Sequence, residues 1–278
     1  MRLRFAAPAL VVCAAACSPR IVGAGYFTRL GRAEFQRGEY RSAIADFDRA
    51  LKIDNTMYLA FYFRARSHYR LGELPEALDD YNATLGINRE WWVAYNDRAL
   101  IFDRMHRYDD ALRDLAPARA NLPRDAVVLE NRGLVHYHME RYAEALADCD
   151  SAVALDPGLP GPYNVRGMTH QDQGQDRIAL VDFNLALERD DSLPAVYNNR
   201  GLSYYHLGEL ARAIADYDVA LAQRPADVVM LANRAIAEQD RGDTARAVAD
   251  LQKIVSVGRD SGSVARAEAR LRRLRARR

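Results

Sequence analysis

The chain repeats itself every 34 residues, without a gap. Units begin at Ala24, Tyr58, Trp92, Ala126, Pro160, Pro194 and Val228. Their eighth position is always Gly or Ala (Gly31, Ala65, Ala99, Gly133, Gly167, Gly201, Ala235). The twentieth is Ala every time, from Ala43 to Ala247. A period of this length describes one supersecondary unit, too small to be a domain. In the unit Pro194–Asp227, apolar residues at three- and four-residue steps predict two helices, about Ala195–Leu207 and Leu210–Gln223. Gly208 suits the left-handed end of the first, and Pro225 stops the second. Neither helix can bury its oily face alone, so each pair needs a copy on either side. The 278 residues therefore predict one all-α solenoid that grows by addition.

Large side chains alternate with the small ones. Phe27, Phe61, Tyr95, Leu129, Tyr163, Tyr197 and Leu231 stand at the fourth position, and Phe47, Tyr81, Leu115, Cys149, Phe183, Tyr217 and Leu251 at the twenty-fourth. With Pro near position 32 (Pro123, Pro157, Pro225), the pattern resembles the tetratricopeptide repeats. That resemblance implies a right-handed superhelical solenoid of seven helix-turn-helix repeats. Their ranges would be 24–57, 58–91, 92–125, 126–159, 160–193, 194–227 and 228–261, followed by a basic capping helix at 262–278.

A second regularity concerns charge. Position 23 is Asp in all seven repeats: Asp46, Asp80, Asp114, Asp148, Asp182, Asp216, Asp250. Position 7 is Arg in the last six: Arg64, Arg98, Arg132, Arg166, Arg200, Arg234. A solvated face would not repeat one charge type so strictly. Because the first repeat has Leu30 at position 7, the expected ladder joins each Asp to the Arg of the next repeat, Asp46 with Arg64 through Asp216 with Arg234. Arg suits the role because its planar fork grips a carboxylate with two bonds.

The ends differ from the repeats. MRLRFAAPALVVCAAAC has two Arg, an apolar run too short to span a bilayer, and a small-residue stretch, the layout of an export signal. Ala16 before Cys17 resembles a lipoprotein cleavage site, which implies lipidation of Cys17. Ala14-x-Ala16 also fits an ordinary signal peptidase, and hence a soluble periplasmic or secreted protein. By the same resemblance, Ser18 lacks the Asp of inner-membrane retention and favours the outer membrane. Residues 18–25 read as a flexible tether. At the other end, 262–278 holds seven Arg and one Glu, and Val264, Ala267, Leu271 and Leu274 are expected to cover the last repeat's oily face.

Formal net charge is +1. With that basic end set apart, the repeats themselves are acidic, which argues against nucleic acid as a partner. Catalytic signatures are missing: the sequence has no phosphate loop, no G-x-S-x-G elbow and no H-E-x-x-H helix. His136 and His138 point to different helix faces. His68, His136 and His170 share position 11, a packing site. No catalytic residue, metal or cofactor is expected, and Cys149 reads as a small core hydrophobe.

The resemblance implies a binding groove lined by the first helix of each repeat. It would present Arg66, Tyr69 and Arg70; Asn96, Asp97 and Arg104; Asn131, Tyr137 and His138; Asn164; and Asn198, Tyr205 and His206. Leu100, Leu134, Met168 and Leu202 would form its floor. Asn can bind both polar groups of a peptide backbone, although here it also serves to hold neighbouring helices. The carboxylate clamp of chaperone-binding relatives is missing, since the only lysines are Lys52 and Lys253. The expected function is a membrane-anchored adaptor holding a protein or extended peptide, such as a cell-wall hydrolase or protease. A pilus or secretin assembly lipoprotein is the alternative. Either solenoid end could stack on a second copy, so oligomerisation stays open.

Overall fold

The computed structural model describes residues 19–258 and 260–275. The export signal, Cys17 and the last three residues lie outside them. Every element described is a helix. The repeats are the pairs α1 (Pro19–Gln36) with α2 (Tyr40–Ile53), α3 (Tyr58–Leu71) with α4 (Leu74–Ile87), and α5 (Trp92–Arg104) with α6 (Tyr108–Asn121). There follow α7 (Ala126–His138) with α8 (Tyr142–Leu155), α9 (Pro160–Asp172) with α10 (Asp176–Arg189), α11 (Pro194–His206) with α12 (Leu210–Gln223), and α13 (Val228–Arg241) with α14 (Thr244–Val257). The last element is α15 (Ser261–Arg275).

The chain forms two compact units, one ending at Asn121 and one beginning at Leu122. In both, the two helices of a repeat pack on each other and the second packs on the first helix of the next repeat. The N-terminal unit has an aromatic interior, with Phe47 and Tyr81 buried, Phe35 and Phe61 against the Phe47 cluster and Phe63 against both. In the C-terminal unit Phe183, Tyr217, Leu231 and Ile254 are buried. Each such side chain contributes roughly 1.5–3 kcal/mol by leaving water.

Position 8 faces position 24 of the same repeat, sixteen residues on. A Cβ on Gly167 would stand 2.6 Å from the Phe183 ring, and one on Gly201 2.8 Å from Tyr217. The small residue is what brings the helices of a pair this close. Each first helix is followed at position 15 by a residue with positive φ, at Gly38, Gly72, Gly174, Gly208 and Gly242 but also at His106 and Glu140.

Residues 19–25 are not a tether. α1 starts at Pro19, where the missing N–H costs nothing because a first-turn donor has no helical partner. Ala24 is fully buried and Gly23 lies against Ile53, so packing overrides the weak propensity of the two glycines. At the other end α15 buries Ala267, Leu271 and Leu274 with Leu251 and Ile254; Val264 is half-buried.

Candidate functional site

Two rows of polar contacts run along the repeats, one within each pair of helices and one along the first helices. The Arg–Asp ladder belongs to the first row, and its register differs from the expectation. Each Arg grips the Asp of its own repeat: Arg64 with Asp80, Arg98 with Asp114, Arg132 with Asp148. The same holds for Arg166 with Asp182, Arg200 with Asp216 and Arg234 with Asp250. Nε and Nη2 donate at 2.5–2.9 Å, and the aspartates are buried. The offset of sixteen is the one that sets position 8 against position 24, so the packing register dictates the pairing register.

Asp46, whose repeat has no such Arg, is held instead by Arg49 Nη1 at 2.8 Å, one turn along α2. The link between repeats comes from the third guanidinium nitrogen and a different acceptor, position 25 of the preceding repeat. Arg64 Nη1 donates to Asp48, Arg98 to Asn82, Arg166 to Asp150, Arg200 to Asn184 and Arg234 to Asp218. One Arg thus ties three helices together. These residues are structural.

In the N-terminal unit the expected groove residues meet around Asp97. Tyr62 Oη donates to its carboxylate at 2.8 Å, and Arg66 Nε lies 3.9 Å away. Burial, only partly offset by these partners, raises the Asp97 carboxyl above the usual carboxylate range. The guanidinium of Arg66 stacks on Phe35 and Tyr62, and that of Arg104 on Tyr69 at 5.2 Å. Arg66, Tyr69, Arg70, Asp97 and Leu100 line one small recess with Tyr81. Asn96 is buried and so removed from any ligand.

In the C-terminal unit the asparagines bind one another. Asn199 donates to Asn164 at 3.1 Å and Asn233 to Asn198 at 2.9 Å, while Asn131 is buried. They hold neighbouring first helices, one of the two roles read for them. The tyrosines do likewise: Tyr205 Oη donates to Asp240 at 2.7 Å, and Tyr137 bonds Asp172. With Tyr69 on Arg104, each reaches position 13 of the next repeat. His206 Nδ1 lies 3.0 Å from Asp176, and His138 is exposed. The floor residues Leu100, Leu134, Met168 and Leu202 are all half-buried.

The position-11 histidines sit beside the ladder. His136 Nε2 is 3.7 Å from Asp148 and His170 Nε2 3.9 Å from Asp182, while His68 Nδ1 meets Glu73 at 2.7 Å. Burial lowers the His136 imidazole. Cys149 is a buried free thiol pushed well up by desolvation. Among the described residues no group of three His, Cys, Asp or Glu side chains is placed to hold a metal ion. No described helix is long and apolar enough to cross a membrane.

Two carboxyls escaped the sequence reading. Glu238 takes position 11 of repeat seven and is fully buried, with Arg246 at 3.3 Å and Arg234 at 3.9 Å but no hydrogen bond. Glu130 takes position 5 of repeat four, where a Cβ on Gly161 would collide with it. Burial raises each to about 7. The signal was weak: position 5 is otherwise Thr, Tyr, Asn or Ala, and position 11 is His, Phe or Tyr in repeats two to six but already Glu in the first, at Glu34.

Tetratricopeptide repeat family models match residues 28–90, 96–160 and 194–227. A comparison with curated proteins finds no match. Among solved structures, the chain is similar to a tetratricopeptide repeat protein from Parabacteroides merdae (18% identity, TM-score 0.70, 91% of this chain and 99% of that one). It is also similar to PilW, a type IV pilus biogenesis factor (20%, 0.64, 74% and 96%). A third is human IFIT1, solved with m7Gppp-AAAA (15%, 0.79, 91% and 63%). At these identities the likeness concerns the fold. Repeats of this kind indicate a scaffold for protein interaction, and the chain belongs to the tetratricopeptide repeat family.

Proposed function

We propose that the chain is a non-enzymatic adaptor, lipid-anchored through Cys17 to the outer membrane and facing the periplasm, that holds a protein or extended peptide on its first-helix face. The observation that carries the binding reading is what that face leaves over. Once the asparagines are used between helices, half-buried Leu100 in the N-terminal unit and Leu134, Met168 and Leu202 in the C-terminal unit each remain beside Tyr, Arg or His side chains. Such a mixture of apolar floor and polar flanks suits peptide surfaces. A cell-wall hydrolase or protease is the partner class proposed.

A photo-crosslinking residue at position 70, 104, 138 or 206 is expected to trap a partner in cells, whereas one at 79, on the exposed side of α4, is not. Equal trapping at 79 would reject the groove. Cys17→Ser is expected to release the protein from membranes; a variant that stays with the membrane would reject the lipid anchor, and a parent protein found in the soluble fraction would leave a soluble periplasmic or secreted protein as the better reading. The alternative, support of pilus or secretin assembly, draws on the likeness to PilW, and pilus or secretin subunits in the crosslinked product would establish it.

A further inference from the structure

α15 breaks the electrostatic rule of the repeats. Elsewhere the first-helix Arg at position 7 is neutralised by a buried Asp. On α15, Arg266, Arg270 and Arg273 fall at i, i+4 and i+7 and so form one stripe. Arg266 Nη2 donates to Ser263 Oγ at 2.9 Å and Arg270 Nε to Gln239 Oε1 at 2.8 Å, both neutral acceptors. Asp260, just before α15, accepts from the N–H groups of Gly262 and Ser263, and the charge of Arg266 acts on it only through space. Among the described residues no carboxylate reaches ion-pairing distance of the three arginines; the acid on α15, Glu268, meets Arg272.

The stripe borders an apolar opening. The earlier first helices of this unit pack directly on one another, α7 on α9, α9 on α11 and α11 on α13. α15 rests on α14 instead, and a cleft of about 270 Å³ is left between α13 and α15. Val228, Val229, Ala232 and Ile236 form one wall, and Arg266 and Arg270 stand on the other. Val229 is 63% exposed. A second space, about 410 Å³, shares those two arginines and extends to Arg273.

We infer that the α13–α15 cleft binds an acidic linear segment of a partner protein, an apolar side chain entering the cleft while flanking carboxylates meet Arg266, Arg270 and Arg273. The inference rests on the scaffold reading and supplies a ligand chemistry for one end of it. Guanidinium groups without a carboxylate partner beside an apolar recess match carboxylates beside an apolar anchor. A lipid surface fits less well. A helix that lies in a membrane inserts its apolar face, and the apolar face of α15, Ala267, Leu271 and Leu274, is already buried against the repeats.

The test is fluorescence anisotropy on the full chain, with a labelled peptide centred on Glu-Asp-Leu-Phe-Glu-Asp. Binding is expected to weaken at least tenfold in Arg266→Glu/Arg270→Glu, in Val229→Glu, and when Ser replaces Leu and Phe in the peptide. It should also weaken as salt rises. Arg266 is exposed and Arg270 half-buried, and an unchanged melting curve would show that the variant is folded. The inference is overturned by equal affinity in the arginine variant, by no binding at millimolar peptide, or by preference for phosphatidylglycerol vesicles or single-stranded DNA. A partner crosslinked at 70 or 104 but not at 266 or 270 would sink this site and leave the scaffold reading standing. Loss of trapping at every groove position would reject the scaffold reading itself.

Discussion

Arg200 illustrates why a repeated charge pair is more than surface decoration. Its fork closes on buried Asp216 and its remaining nitrogen on Asn184, so removing it strands a carboxylate in the interior. Arg200→Ala is expected to cost about 3 kcal/mol. The loss should be largely absent when Asp216 is already Ala, a coupling of about 1–3 kcal/mol. Combined with Asp182→Ala the losses should simply add, because Asp182 belongs to Arg166. A thermal or urea melt of the four variants in each cycle decides between the two registers. Glu238 makes the opposite case. Burial raises its carboxyl from 4.5 to about 7 despite two nearby arginines. The folded state therefore binds this proton between those values while the unfolded state has released it. Its contribution to stability is most favourable at low pH and declines as pH rises from about 4.5 through 7. Glu238→Gln is expected to melt higher than the parent at pH 8 and to lose that advantage at pH 5. An advantage independent of pH would mean that the carboxyl does not titrate in this window.

At the scale of a helix, the turn at position 15 is the weakest match between residue and backbone. Five repeats place Gly there, but Glu140 adopts φ +58° and His106 φ +57°. A side chain in the left-handed region costs about 1–2 kcal/mol, part of which glycine gives back through its freer unfolded chain. Glu140→Gly is therefore expected to stabilise by about 0.5–1 kcal/mol, and Gly208→Ala to destabilise by a similar amount, both read from melts. Helix ends were legible where Gly208 and Pro225 punctuate the unit; α12 occupies the predicted Leu210–Gln223. The ladder register was not, because an offset of sixteen within a repeat and of eighteen between repeats fit the same column of letters. Only the packing of position 8 against position 24 separates them, and the lone Asp46, which by sequence favours the longer offset, is answered by Arg49.

Over the whole chain, stability is a sum of neighbours, so an uncovered end is a liability. α15 covers Leu251 and Ile254 with Ala267, Leu271 and Leu274. Leu271→Asp is expected to lower the melting temperature by several degrees through an uncompensated buried charge, and to raise binding of an apolar dye, with repeats one to three least affected in hydrogen exchange. Uniform loss of protection would mean one cooperative block instead of a graded stack.

The 34-residue period, with the three- and four-residue apolar steps inside it, determined that the repeats are helical, paired and additive, because so short a helix pair buries its oily stripe only against copies of itself. It also marked the Arg and Asp columns, the small contact residues and the covering role of the last helix. Tertiary structure alone decided which Asp each Arg holds, that Asn164, Asn198 and the position-12 tyrosines are spent between neighbouring helices, and that residues 19–25 extend α1. It likewise left α15 standing off from α13. The reason is the same throughout: spacing along a chain tells which face a side chain takes, whereas the partner it meets there depends on how closely a second helix can approach.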